Sequence, residues 1–222
     1  AVRLNGSLTA LDEEPLSPAR TRSLSYLLLD DARYREFLKS KASDFTFERP
    51  GVGRFRCDLH HQRGSVALSI RILPGTVPTL EELSLPATYA RFAALKKGLV
   101  LFCGPTGCGK STSMASLIGV INRSRSAHIV TIEDPIEYLH AHERSVVEQV
   151  EVGRDAVSFA SALRHALRQN PDVVLVGEML DLETIGTALT AAETGHVVCS
   201  TLHTSDAAQT LNRIVDVFPE PQ

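Results

Sequence analysis

No run in this chain approaches the roughly 18 consecutive apolar residues that a membrane-crossing helix requires, so direct membrane insertion is not expected. Positive charge is not in excess either: 23 Lys and Arg stand against 26 Asp and Glu, a formal net charge of -3. Basic segments interleaved with aromatics are lacking, so nucleic acid is not an expected partner, and an acidic surface would need a local patch. Cysteine is scarce. Cys57, Cys103, Cys108 and Cys199 form no CxxC pair, so neither a zinc knuckle nor a disulfide framework is suggested, and reduced cytoplasmic thiols are expected. No low-complexity tract and no secretory signal are present. The chain starts at Ala1, inside a hairpin pattern, and FPEPQ closes it just after a helical one, so both ends read as trimmed. What is there is 43% hydrophobic and 22% charged over 222 residues, which suits one large globular domain or two modest ones.

Two blocks follow from the patterning. In the first, to about residue 73, VRLNGSLTAL predicts a hairpin turned by Asn5-Gly6, and RSLSYLLLDDARYREFLKS predicts helix. GRFRCDLH and SVALSIRIL predict a second hairpin across HQRG. Alternation puts Phe55, Cys57 and Leu59 with Val66, Leu68, Ile70 and Ile72 on one face and Arg54, Arg56 and Arg71 on the other. Closure at His60 and Ser65 would set Arg54 across from Arg71, where like charges repel unless an anion sits among them or the face is simply solvated. Residues 74–86, with Thr79 and Glu82 as a capping box for a short helix, read as a linker. From residue 87 short apolar runs alternate with amphipathic helices, which predicts a mostly parallel sheet covered on both faces with ligands at the carboxyl ends of its strands.

GPTGCGKST, residues 104–112, matches the phosphate-binding pattern GxxxxGK[ST] and lies between a strand and a helix. Gly104, Pro105, Thr106, Gly107, Cys108 and Gly109 would turn backbone amides inward around phosphate. Lys110 would reach the outer phosphates, and the hydroxyls of Ser111 and Thr112 follow, Ser111 being placed to take Mg²⁺. Glu178 closes the apolar strand DVVLVGE, where a P-loop enzyme holds an acid facing metal and water. TIEDPIE ends another strand in Glu133, Asp134 and Glu137, so Glu133 and Asp134 join Ser111 and Glu178 as candidate Mg²⁺ residues, partly through water. His196 and His203 bracket a further strand, HVVCSTLH. Seven extended residues span up to about 23 Å, so the two are not expected on one metal, and either could be an ordinary satisfied core histidine.

In order and spacing GPTGCGKST, TIEDPIE, NPDVVLVGEMLDLETIGTALTAAETGH and STLHT resemble the Walker A, Asp box, Walker B and His box of the type II/IV secretion ATPases. Within them the chain is most similar to the PilT-like retraction ATPases of type IV pili, which power twitching motility, and the likeness runs over essentially its whole length. The resemblance implies an α/β fold with a RecA-like P-loop ATPase domain over 87–222, a smaller α+β PAS-like domain over 1–73 and a missing C-terminal helical region. It also implies ATP and Mg²⁺ as cofactors, a homohexameric ring, an inner-membrane pilus platform protein as partner, and a place in the cytoplasm, peripheral to the inner membrane. Carried over by residue, Glu137 would be general base, Glu178 would position Mg²⁺ and water, and His196 and His203 would sense the γ-phosphate. Arg56 and Arg71 would meet nucleotide. Arg164 and Arg168, at i and i+4 on a helix, and Arg213 match further family arginines, or else form a solvated helix face.

Two departures stand out. Leu180 replaces an arginine next to the Walker B acid, and Cys108 replaces a serine in the loop. A thiol at a helix N-terminus beside a lysine could be oxidisable, or simply small and passive. The other functions in view are pilus assembly or type II secretion, which usually carry a paired-CxxC insertion, a nucleic-acid translocase on the same core fold, and a nucleotide-binding scaffold that barely turns over.

Overall fold

The computed structural model describes residues 1–11 and 14–218; the terminal PEPQ, part of the segment read as a trimmed end, lies outside them. The chain divides into two compact units, Ala1–Ile72 and Leu73–Gln222.

The first unit opens with strands β1 (Val2–Leu4) and β2 (Ser7–Thr9), joined by Asn5 and Gly6 at φ 48° and 84°. Both turn residues have positive φ, as a two-residue hairpin of type I′ demands. The predicted helical stretch splits into α1 (Pro18–Leu28) and α2 (Asp31–Ser40). The cause is Asp30, whose carboxylate accepts from the amides of Ala32 and Arg33 and so starts a second helix. An antiparallel meander follows: β3 (Ala42–Arg49), β4 (Gly53–Gln62) and β5 (Ser65–Ile72). Phe45, Cys57, Leu59 and Val66 on the sheet bury against Leu29 and Phe37.

The β4–β5 register corrects the expected one. The turn is only Arg63-Gly64, both at positive φ, so Gln62 pairs with Ser65 and the pairing moves by two residues. A shift of two keeps each side chain on its face. It puts Arg56, not Arg54, opposite Arg71, while the separate β3–β4 register, which pairs Arg56 with Thr46, brings Arg56 beside Asp44 of β3, a strand that the patterning did not predict. The Arg56 Nε lies 3.1 Å from both Asp44 oxygens and its Nη2 completes the ion pair, so the anion expected among these arginines is supplied from within the sheet.

In the second unit the proline-rich segment 74–86 packs through Leu80. Its capping box forms, with Thr79 N–H to Glu82 Oε2 at 2.8 Å and Glu82 N–H to Thr79 Oγ1 at 3.1 Å. It closes a turn over residues 80–84 rather than the predicted helix, because Ser84, at φ 53°, reverses the chain. Then come α3 (Tyr89–Phe92), β6 (Gly98–Cys103), α4 (Lys110–Ser124), β7 (His128–Glu133) and β8 (Val146–Glu151). They are followed by α5 (Phe159–Ala166) with a 3-10 turn at Leu167–Gln169, β9 (Val173–Val176), α6 (Leu182–Glu193), β10 (Val197–Leu202) and α7 (Ala207–Val215).

The five strands form one parallel sheet in the order β6-β10-β9-β7-β8. Alternation sorts their side chains onto two faces. Val173, Leu175, Val197 and Cys199 bury against Leu117, Ile118 and Ile121 of α4. Val174, Val176, Val198 and Val130 bury against Leu163 of α5 and Ile185 and Ala188 of α6. Coverage on both faces is what permits strands as continuously apolar as VVLV. Edge strand β8, VVEQVE, is a second strand absent from the sequence reading. Among the described residues no helix is long and apolar enough to cross a membrane.

The P-loop helix also fastens the loop between β7 and β8. Buried Asn122 donates from Nδ2 to Ala141 O at 2.7 Å, accepts at Oδ1 from Glu143 N–H at 3.3 Å, and its own carbonyl accepts from Arg144 N–H at 3.1 Å. Asn122→Leu preserves size but strands the Ala141 carbonyl and the Glu143 amide, and it should lower stability by about 1–3 kcal/mol. A urea melt with an unchanged midpoint would count against this anchor.

Candidate functional site

Every strand of a parallel sheet ends on the same edge, so strand order decides what meets there. The carboxyl ends of β6, β10, β9 and β7 run directly into the loop 104–112, His203, Glu178 and the acidic segment 133–137, in that spatial order.

The loop after β6 has Gly104, Gly107 and Gly109 at φ 151°, 81° and 96°, conformations that side-chain-bearing residues avoid. A Cβ on Gly104 would meet the Cys108 Sγ at 2.6 Å, whereas at Gly107 and Gly109 it would meet nothing within 4 Å. Cys108 therefore closes the space beside Gly104, while that beside Gly107 and Gly109 is open. Helix α4 begins at Gly109 with no side chain capping its first amides. Uncapped amides and the positive end of the helix dipole around an open cradle fit a phosphate.

Lys110 lies across the loop, its Nζ donating to Gly104 O at 2.9 Å and Pro105 O at 3.0 Å. The same Nζ stands 3.5 Å from His203 Nδ1, and His203 Nε2 stands 4.0 Å from Glu178 Oε2. An ammonium only donates, so Nδ1 is the face that can accept from it, and the His203 ring stands between the loop lysine and the acid after β9. Thr201 Oγ1 donates to Gly177 O at 2.7 Å and steadies the turn that carries Glu178.

Next to them β7 ends in Glu133, followed by exposed Asp134 and half-buried Glu137. The Glu133 carboxylate accepts from Thr131 Oγ1 at 2.7 Å, from Gln149 Nε2 at 3.1 Å and from the backbone amide of Glu137. Burial nevertheless raises its pKa above the usual 4.5, the Glu137 charge adding to the effect and the three donors opposing it. Ser111 stands in the first turn of α4, and Thr112 Oγ1 accepts from Tyr138 OH at 3.2 Å.

His196 sits at the opposite end of β10. Its Nδ1 donates to Ala191 O at 3.1 Å and its backbone amide goes to the same carbonyl, closing the end of α6. The arginines are spread out. Arg164 on α5 pairs with Glu183 on α6. Arg168 falls in the 3-10 turn that directly continues α5, so the helical period tightens between it and Arg164. Arg213 is exposed on α7, and Leu180 is exposed beside Glu178.

Residues 67–220 match the family of type II/IV secretion system proteins. The chain belongs to that family. It is 45% identical to the type IV pilus retraction ATPase PilT of Pseudomonas aeruginosa over 98% of this chain and 63% of that relative. It is also 45% identical to a twitching motility protein of Neisseria gonorrhoeae, over 98% of this chain and 58% of the relative. The crystal structure of the pilus retraction motor PilT with bound ADP matches with a TM-score of 0.95 at 50% identity, covering 99% of this chain and 64% of that one. The chain thus spans 58–64% of the length of these relatives.

Family motifs account for the loop, the acids, Thr201 and His203, but three contributors carry no motif: Asn122, Tyr138 and Gln149. Gln149 lies in VVEQVE, whose valines fall on both faces, so neither alternation nor an apolar run marks that strand. The others act through partners far along the chain, so spacing could not reveal them.

The raised pKa of Glu133 links stability to pH. The native state holds that proton more tightly than the unfolded chain, so its contribution is complete below about 4.5 and is lost as pH rises through the native value. Glu133→Gln keeps an acceptor for Thr131 and Gln149 and removes that loss. Its urea midpoint minus that of the wild type should therefore increase from about pH 4 to about pH 8; a difference independent of pH would contradict the assignment.

Proposed function

We propose that this chain binds ATP at the loop 104–112 and hydrolyses it as the motor unit of type IV pilus retraction. The observation that carries the reading is the line Lys110–His203–Glu178, with separations of 3.5 Å and 4.0 Å, laid across the mouth of an uncapped glycine cradle. Its family and its likeness to a pilus retraction ATPase and to an ADP-bound relative support it.

The loop amides and the α4 N-terminus would hold the phosphates, and the Lys110 ammonium would exchange the Gly104 and Pro105 carbonyls for phosphate oxygen. That exchange changes what His203 Nδ1 faces, so the ring is placed to register the terminal phosphate and pass its presence to Glu178. Glu137 would take the proton of the attacking water while the bond between the terminal phosphorus and its bridging oxygen breaks, giving ADP and phosphate. Ser111 and Glu178 would hold Mg²⁺, with Glu133 and Asp134 acting through water; the ion would supply charge neutralisation on the phosphates. Among the described residues no group of three or more His, Cys, Asp or Glu forms a cage of its own, so that ion would depend on phosphate and water oxygens for its remaining ligands.

The resemblance assigns Arg56 and Arg71 to nucleotide as well. Arg56 already pairs with Asp44, so this role exchanges one anion for another. His196 would serve the His box from the far end of β10, and Arg164, Arg168 and Arg213 would be further nucleotide arginines. A ring of six copies, a platform protein of the inner membrane and a cytoplasmic place at the pilus base belong to the same reading, on the strength of the relatives alone.

Phosphate release and nucleotide binding together test it. Lys110→Ala should lose both. Glu178→Gln should keep binding and lose about 100-fold or more in turnover, the scale of removing a positioned catalytic group. Equal rates in wild type and both variants would show a scaffold that does not catalyse.

A further inference from the structure

We propose that Gln149, on the edge strand β8, is a positioning residue for Glu137, fixing the backbone that follows it and the Glu133 carboxylate to which its amide is bonded. The proposal rests on the reading of Glu137 as the base that serves bound nucleotide.

The segment 136–140 follows the carboxyl end of β7, with Ile136 and Tyr138 buried and Glu137 half-buried between them. β8 runs beneath it and presents Gln149 and Glu151, two residues apart and therefore on one face. The Glu151 carboxylate accepts from Ile136 N–H at 3.2 Å. Gln149 Nε2 donates to Tyr138 O at 2.9 Å and to Glu133 Oε1 at 3.1 Å, and its Oε1 accepts from His140 N–H at 2.9 Å. The amide can face only this way: turned over, its oxygen would meet two acceptors and its NH₂ group a donor. All three of its contacts are made on the acid-bearing segment or on Glu133.

Glu137 is thereby held by two routes. Residues 136 and 138 on its flanks are bonded to side chains of β8. Its own amide bonds to the Glu133 carboxylate, which Gln149 holds in turn. The outer end of the segment is tied to the P-loop helix through Tyr138 OH and Thr112 Oγ1 at 3.2 Å. Gln149 thus joins the placement of the acid to the helix that opens the phosphate cradle. A base must stand within hydrogen-bond reach of the water it deprotonates, and displacements near 1 Å cost catalysis steeply, so small freedom at residues 136–138 is felt at the carboxylate.

Gln149→Met keeps side-chain length and bulk while removing all three hydrogen bonds. In steady-state ATP turnover it should lower kcat by about 10- to 100-fold while leaving KM within about threefold, and the amide of His140, which loses its acceptor, should exchange with solvent faster. Combined with Glu137→Gln it should lower kcat no further than Glu137→Gln alone, because both act at one group. A Gln149→Met variant with wild-type kcat beside an impaired Glu137→Gln would overturn the positioning role and leave the base intact. The same holds for additive losses, for a fall in nucleotide affinity that matches the fall in kcat, and for unchanged exchange at His140. Wild-type turnover in Glu137→Gln would instead remove the base assignment, and this proposal with it.

Discussion

Parallel pairing of five strands in the order β6-β10-β9-β7-β8 is the constraint from which the rest follows. It collects the carboxyl ends of the strands on one edge, and it inserts β10 between the strand that feeds the phosphate loop and the strand that ends before Glu178. His203, 93 residues from Lys110 along the chain, reaches its Nζ only because β10 lies beside β6. Any other order would separate these groups by the roughly 4.8 Å that each intervening strand occupies.

The electrostatics of that edge follow from the chemistry of the donors. A lysine that can only donate, an imidazole whose Nδ1 can accept from it and a carboxylate that can only accept stand in a line. The acidic segment alongside behaves differently. Glu133 is half-buried and bound by its own strand and loop, which serves geometry more than charge, whereas Asp134 is exposed. In that neighbourhood His140 is lowered to about 4 by burial and by the Arg123 charge, so its ring is neutral near pH 7 and adds no cation to the loop.

The first unit shows the same economy in a different sheet. Moving the β4–β5 pairing by two residues costs nothing in facial sorting, yet it decides which arginine faces Arg71, while the β3–β4 register decides which one finds Asp44. Strands β3 and β8, both unread in the sequence, turn out to supply the counter-charge and the loop support that the motifs lack. ASDFTFER and VVEQVE are short and free of glycine, and VVEQVE mixes valine with polar residues on both faces, so neither announces itself as a motif or as an apolar run.

Much was legible in the residues alone. The glycine loop, the alternation of apolar runs with helices, the acids at strand ends and the two histidines bracketing β10 are all set by local patterning, because backbone periodicity and turn chemistry act over a few residues. Local rules do not reach further. That His203 meets Lys110 while His196 spends its proton on the end of α6, that Arg56 is neutralised within its own sheet, and that Gln149 and Glu151 hold the segment around Glu137 were decided by tertiary structure. Each depends on which strands are neighbours and in what register, and that choice is made by burying both faces of a sheet at once.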